Sequence, residues 1–123
     1  MKITLEYNVT GGQIANLMVT CFEGGANYWL NGVHEYVIYR PGPKTEPWYA
    51  DPQTWENSFT IVFEGEEDGE SWPFDNNSLQ DGLKLLAEMR PSIFHRLFVD
   101  EDYDADDADV ALQIILLGDI IYG

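Results

Sequence analysis

Two consecutive stretches near the end of the chain decide how this protein must fold. The first is VDEDYDADDAD, residues 99–109, which has seven carboxylates in eleven residues and neither Lys nor Arg. The second is VALQIILLGDIIY, residues 110–122, which is apolar at almost every position. A helix that is apolar on nearly every side must be buried on nearly every side. We therefore predict that residues 110–122 form a helix at the centre of the core and that the acidic stretch leads into its N-terminus.

The acidic stretch holds more carboxylates than the start of a helix uses. Residues 104–107 would lie at or just before the first turn, where unpaired N–H groups and the helix dipole favour anions. This effect fades within one turn, so the acids at residues 100–102 should mostly repel their neighbours. We infer that the surplus serves a partner outside the chain.

Calcium binding is an alternative use of the same acids. Asp100, Asp102 and Asp104 have the alternate spacing of oxygen ligands in a helix-loop-helix calcium site. Such a loop also needs Gly at its sixth position and Glu at its twelfth, where this chain has Ala105 and Ala111. Weak divalent binding stays open, but we predict no dedicated metal site and no cofactor.

Hydrophobic periodicity predicts the remaining elements. Alternating or β-branched residues predict short strands at residues 2–7, 33–39, 58–64 and 71–74. Helical spacing predicts a first helix with a Thr10–Gln13 capping box, and later helices that begin at Ser78 and Pro91. Residues 40–57 hold four of the six prolines and predict an irregular loop. This order predicts one α+β domain over residues 1–123: a small antiparallel sheet of three to four strands, helices packed on one face, and a buried C-terminal helix.

Composition narrows the classes of function. At 123 residues with 45% hydrophobic residues, the chain can bury a core of its own. It has 22 acids and 6 bases, and its net charge of −16 repels nucleic acid and anionic membranes while attracting basic surfaces. No apolar run reaches the roughly 18 residues of a membrane span, and a single cysteine fits a reducing compartment. We expect a cytoplasmic protein, although acidity that serves only solubility or growth in high salt remains an alternative.

Common catalytic patterns are missing from the sequence. It contains no GxxxxGK[ST], GxSxG or HExxH, and no GxGxxG after a strand. Cys21 lies on the apolar stripe of the first helix, which favours a buried and inert thiol. Together with the distant His34 and His95 it makes a poor zinc set. Gln113, polar within the apolar final helix, should find a hydrogen-bonding partner in the core. We predict a protein that is not an enzyme.

Two short patterns resemble a family of short proteins encoded in bacteriophage genomes. They are Glu23-Gly-Gly-x-x-Tyr28-Trp29, and Ala105-Asp-x-Ala108-Asp109-x-x-x-Gln113 through Gly118-x-Ile-x-Tyr122-Gly123. The resemblance covers the first helix, its exit and residues 105–123, and it implies no reaction. It does imply expression in the cytoplasm of an infected bacterium.

Charge and setting together predict a binding function. Duplex DNA carries one negative charge per roughly 1.7 Å of axis. A domain of this size, with a radius of gyration of about 14 Å, spans a segment with roughly 20 such charges. We predict an acidic phage accessory protein that binds a basic host protein, such as a nuclease or another nucleic-acid-binding protein, and that acts as a nucleic-acid mimic against host defence. It would not bind nucleic acid itself.

The predicted partner-binding site has two parts. We call them the acidic run, which is Asp100, Glu101, Asp102, Tyr103, Asp104, Asp106 and Asp107, and the hairpin cluster, which is Glu66, Glu67, Asp68 and Glu70. The carboxylates would steer and pair with the partner, and Tyr103 would add contact area. The alternative function is a phage structural or assembly protein that forms homo-oligomers through apolar surface around the Trp48–Trp55 loop. A homodimer is compatible with the binding function.

Overall fold

The computed structural model describes residues 1–43 and 46–123, and it describes Glu35 by its backbone alone. Within these residues, one antiparallel sheet has the strand order β1-β2-β3. The strands are β1 (Leu30–Tyr39), β2 (Ser58–Gly65) and β3 (Ser71–Asp75), and the helices are α1 (Gly11–Thr20), α2 (Pro52–Glu56), α3 (Asn76–Met89), α4 (Pro91–His95) and α5 (Ala105–Leu117). The predicted α+β class is confirmed.

The sheet is buried on one face because its strands alternate. On β2 the side chains of Phe59, Ile61 and Phe63 are buried, whereas Ser58 and Thr60 between them are exposed. Since successive side chains of a strand point to opposite faces, the buried residues lie on one side of the sheet. Helices α2, α3 and α5 contact the sheet. The predicted hairpin is confirmed, with β2 and β3 paired from Thr60 to Glu64.

Helix α5 is the buried helix that its composition predicts. Its residues Ala108, Ala111, Leu112 and Ile114 have no exposed surface. The predicted end of the helix at residue 122 is wrong, because α5 ends at Leu117. Gly118 has a φ of 84° and donates its N–H to the carbonyl of Ile114, which closes the helix. Residues 119–123 therefore continue as a non-helical C-terminal segment.

Two other predictions about elements are wrong. Residues 2–7 form no strand, and Ile3 and Leu5 stay 75% and 67% exposed. A strand needs a hydrogen-bonding neighbour, which alternation of side chains does not supply. Helix α3 is capped by Asp75 instead of Ser78: the Asp75 carboxylate accepts the backbone N–H of Ser78 at 2.9 Å. The cap lies three residues earlier than predicted, and it lengthens the helix.

The first helix and the long loop follow their predictions more closely. Thr10 and Gln13 form the predicted capping box, with hydrogen bonds of 3.0 and 3.1 Å. The loop at residues 40–57 includes positions 44 and 45, which lie outside the described residues. Its described part contains α2 and a single 3₁₀ turn. Trp55 is buried, and Trp48 packs against the core and stacks on Tyr36. These aromatic side chains therefore pack against the core, with Trp48 remaining half-buried at the surface.

No helix in the described part of the chain has the length and apolar character to cross a membrane.

We predict that removing the cap of α5 destabilises the protein. The backbone N–H of Asp107 donates to the Asp104 carboxylate at 2.8 Å, and Asp104 is the N-cap residue. Asp104→Ala should lower the free energy of unfolding by about 1 kcal/mol, because a helix N–H loses its acceptor. Asp104→Asn, which keeps an acceptor, is the control. Denaturant unfolding measures both, and an equal loss in the two variants would contradict the capping role.

Candidate functional site

The first acids of the acidic run are attached to two different helices. Asp100 places a carboxylate oxygen 3.2 Å from Nδ1 of His95 on α4. Glu101 accepts a hydrogen bond of 3.1 Å from the side chain of Gln13 on α1. Asp102 is exposed, and its carboxylate has no hydrogen-bonding partner among the described residues. Two of these three acids therefore have neighbours within the chain.

The middle of the acidic run is used by helix α5 itself. Asp104 caps the helix, and Asp106 is exposed in its first turn. Asp107 receives two hydrogen bonds from the Arg96 guanidinium, at 2.9 and 3.0 Å, one to each carboxylate oxygen. This pairing holds the pKa of Asp107 below its usual range. Arg96 thus neutralises part of the charge that was predicted to face a partner.

The last acid of the quoted stretch, Asp109, lies inside the protein. It is 9% exposed and accepts hydrogen bonds from the Tyr28 hydroxyl at 2.5 Å and from the Trp29 indole N–H at 2.7 Å. Gln113, one turn further along α5, donates to the same carboxylate at 3.0 Å. Among the described residues no cation pairs with Asp109. Neutral donors alone satisfy this buried anion.

Gln113 attaches the C-terminal segment to α5. Its carbonyl oxygen accepts the backbone N–H groups of Ile121 and Tyr122, both at 2.8 Å. Its amide nitrogen also lies 3.2 Å from the carbonyl of Tyr122. The prediction that Gln113 has a partner in the core is confirmed. The side chain of Gln113 thus provides the hydrogen bonds that hold the C-terminal segment beyond the end of α5.

Aromatic packing closes the same region. The rings of Trp29 and Tyr122 stack with centroids 5.3 Å apart, and the Tyr122 hydroxyl donates to Glu70 at 2.6 Å. Gly25 is required here because a Cβ on it would lie 2.8 Å from the backbone oxygen of Ala105. The two patterns that carry the phage resemblance therefore meet in space. We call their shared centre the Asp109 network, which is Tyr28, Trp29, Asp109, Gln113 and Tyr122.

Both tyrosines of the Asp109 network remain protonated at neutral pH. Burial, with the hydrogen bond to Asp109 and its charge, raises the pKa of Tyr28 to about 12. The hydrogen bond to Glu70, with burial and the charges of Glu70 and Glu67, raises the pKa of Tyr122 to about 12. Each phenol therefore stays a hydrogen-bond donor to its carboxylate.

Cys21 is buried as predicted, and its thiol lies 3.4 Å from the carbonyl of Ala108. Burial, with the charge of Asp109, raises the pKa of this thiol. A thiol that stays protonated is a poor nucleophile. Among the described residues, no group of three or more His, Cys, Asp and Glu side chains is placed to hold a metal ion.

The hairpin cluster surrounds the turn between β2 and β3. Glu66, Glu67 and Asp68 are exposed, and within the described ranges no ion pair includes any of them. Glu70 is half-buried beneath the Tyr122 hydroxyl. The carboxylates of Glu66, Glu67 and Asp68 thus remain without a partner among the described residues, whereas that of Glu70 has one.

The Asp109 network connects part of the acidic run to the hairpin cluster. Asp106 is close enough to Tyr28, and Glu67 and Glu70 are close enough to Tyr122, for these charges to help raise the pKa of each phenol. The backbone N–H of Glu66 donates to the carbonyl of Trp29 at 2.9 Å, which holds the hairpin beside the Asp109 network. Tyr28 is 53% exposed, and its hydroxyl lies 3.3 Å from the Gln113 amide nitrogen, which also lies 3.2 Å from the carbonyl of Tyr122. We call this surface the Tyr28 face: Tyr28, Asp106, Tyr122, Glu67 and Glu70.

Sequence reasoning found the acids of this face but missed Tyr28, Asp109 and Tyr122. The signal was present, since all three belong to the two patterns of the resemblance. Nothing in either pattern says that they touch. Residues 100–102 lie beside α1 and α4 instead, so the acidic run does not point in one direction.

Comparison of the chain with protein-family models, with curated proteins and with solved structures finds no match in any of the three.

We predict that Asp109→Ala destabilises the protein by about 3 kcal/mol, because it leaves buried donors of Trp29 and Gln113 without an acceptor. Asp109→Asn should cost less, since its carbonyl oxygen can replace one carboxylate oxygen. Denaturant unfolding, followed by tryptophan fluorescence, measures both. Asp119→Ala, at an exposed position of the C-terminal segment, is the control. If Asp109→Ala unfolds like this control, Asp109 does not organise the network.

We predict a pH-dependent contribution from the Arg96–Asp107 pair. Since Arg96 lowers the pKa of Asp107 in the folded state, the pair stabilises the protein above the unfolded value of about 3.9. That contribution is lost as the pH falls through the lower, folded pKa. Arg96→Gln should therefore lower Tm at pH 7, and the difference from wild type should shrink below about pH 3. A difference that stays constant over this range would rule out Asp107 as its source.

Proposed function

We propose that this protein is an acidic, non-enzymatic phage accessory protein that binds a basic surface of a host protein through the Tyr28 face and the hairpin cluster. The observation that carries the proposal is the group Glu66, Glu67 and Asp68. These acids are exposed next to an exposed tyrosine, and in the described part of the chain no base pairs with them.

The distribution of the bases supports this proposal. The chain has 6 Lys and Arg against 22 Asp and Glu. Two of the arginines are used internally: Arg40 lies 2.6 Å from Asp51, and Arg96 pairs with Asp107. Glu66, Glu67 and Asp68 are exposed and have no ion-pair partner within the described residues, and their charge would speed the approach of a basic partner.

Tyr28 supports a protein partner over a free cation. Tyrosine is enriched among the residues that dominate binding energy, since it offers a large contact area at low entropic cost. The hydrogen bond to Asp109 holds the Tyr28 side chain in place before any partner arrives. A preformed aromatic anchor between acids suits a basic protein surface, of the kind that binds nucleic acid. In this proposal the protein occupies that surface as a nucleic-acid mimic and so inhibits host defence.

A second candidate function is assembly as a homo-oligomer. It is favoured by exposed apolar side chains in the N-terminal segment and on β1, where Leu5 and Tyr39 are 67% and 65% exposed. Size-exclusion chromatography with light scattering distinguishes the two functions. A large, salt-insensitive oligomer supports assembly, and a monomer or dimer supports the accessory protein.

We predict that capture of host proteins depends on the hairpin cluster and on salt. Wild type, used as bait, should capture basic nucleic-acid-binding proteins from a bacterial lysate, as identified by mass spectrometry. The bait variant Glu66→Gln/Glu67→Gln/Asp68→Asn should capture much less of these proteins. The same proteins should be lost from wild type between about 50 and 500 mM salt, because screening weakens exposed charge pairs. Glu6→Gln/Asp81→Asn/Glu88→Gln removes three exposed acids elsewhere and is the matched control.

Capture that is equal in the two triple variants would show that total charge, and not this surface, attracts the proteins. Capture that does not change with salt would contradict a charge-based mechanism altogether.

A further inference from the structure

A polar cleft of about 320 Å³ lies between α1 and the segment that leads into the acidic run. Val19 and Leu97 provide its apolar lining, and Asn16, Glu101 and Tyr103 line its polar part. The cleft shares no lining residue with the Tyr28 face, and Glu101 in its lining contacts Gln13 on α1. It is therefore a second place at which a partner can be held.

We propose that this cleft binds the guanidinium side chain of an arginine on the partner protein. The proposal rests on the proposed function, because it names a chemical group on the same basic partner. It adds a discrete pocket to a surface that would otherwise act through charge alone.

Glu101 has one carboxylate oxygen available for a cation. Its Oε1 accepts from the side-chain nitrogen of Gln13, and among the described residues its Oε2 has no donor. The Gln13 side chain is fully used, since it also donates to the carbonyl of Phe98 and accepts from the backbone N–H of Thr10. Gln13 is thus a positioning residue that holds Glu101 at the cleft.

The charge around the cleft selects a cation. Among the residues that the structure describes, no Lys or Arg lines it, and the nearby Arg96 is occupied by Asp107. Asp100 and Asp102, both exposed, flank Glu101 in the chain. An anion would meet repulsion here, whereas a guanidinium would gain charge-assisted hydrogen bonds.

The shape of the lining favours arginine over lysine. The methylene groups of an arginine can lie along Val19 and Leu97, as long charged side chains commonly do. Its planar head group can bond the Glu101 carboxylate and the Asn16 amide oxygen at once and stack on the Tyr103 ring. An ammonium is a compact point charge and cannot make this combination of contacts.

The test uses capped tri-arginine and tri-lysine peptides, titrated into the whole protein and followed by amide chemical shifts. We expect tri-arginine to bind more tightly and to shift the amides of Val19, Leu97 and Tyr103. Glu101→Gln should weaken tri-arginine binding about tenfold, as expected for a lost charge-assisted hydrogen bond. Asp81→Asn removes one exposed charge on α3, outside the proposed binding surfaces, and is the matched control.

A second variant pair separates the pocket from general charge. Tyr103→Leu should weaken tri-arginine about threefold to fivefold, within the range of a cation–π contact, while Tyr103→Phe keeps the ring and the affinity. The proposal is overturned if Glu101→Gln has no greater effect than Asp81→Asn, or if both peptides bind equally and Tyr103→Leu changes neither. Thermal melts confirm that each variant is folded.

Failure of the cleft and failure of the proposed function have different signatures. The cleft proposal is overturned, and the proposed function stands, if salt-sensitive capture of host proteins requires the hairpin cluster but does not change in the Glu101→Gln and Tyr103→Leu variants. Tri-arginine binding at the cleft without capture of any basic host protein would support the cleft and count against the function.

Discussion

The buried carboxylate of Asp109 is the constraint on which the arrangement of the molecule depends. Removing a carboxylate from water costs several kcal/mol unless its oxygens are hydrogen-bonded. Tyr28, Trp29 and Gln113 supply those bonds, so the exit of α1 must lie against α5. Gln113 also binds the backbone of the C-terminal segment at Tyr122, and the Tyr122 hydroxyl donates to Glu70 of the hairpin. The same network therefore fixes the positions of both. The exposed surface between these elements is therefore positioned by an interaction in the interior.

Local signals in the sequence predicted those elements whose determinants lie within a few residues. The Thr10–Gln13 capping box and the hairpin between β2 and β3 are examples, because each is set by neighbours in the chain. The strand predicted at residues 2–7 is wrong for the opposite reason, since pairing depends on a distant strand. The apolar pattern also continues beyond the end of α5, because the helix is ended by the left-handed backbone conformation of Gly118 and not by a change in hydrophobicity.

For the candidate site, the sequence could count charges but could not assign them to partners. Asp107 belongs to Arg96, eleven residues away, and Asp109 belongs to Tyr28, 81 residues away. A run of carboxylates looks uniform in the sequence, yet one caps a helix, one forms an ion pair and one is buried. Of the acids that the sequence left as surplus, Asp100 and Glu101 contact His95 and Gln13 within the chain, which could not be predicted from the sequence.

Because some carboxylates stabilise the fold and others do not, only the second group can be used to test a charge-based function. Neutralising Asp107 or Asp109 would alter stability together with charge, so a loss of binding in such variants would have two explanations. Glu66, Glu67 and Asp68 are exposed and take part in no ion pair that the described structure contains, so their charge can be removed at little cost to the fold. Substitutions at these three positions can therefore change the binding of a partner without changing the stability of the fold. The negative charge of this protein therefore has to be assigned residue by residue: Asp104 caps a helix, Asp109 is an internal anchor, and Glu66, Glu67 and Asp68 are the contact surface of the proposed function.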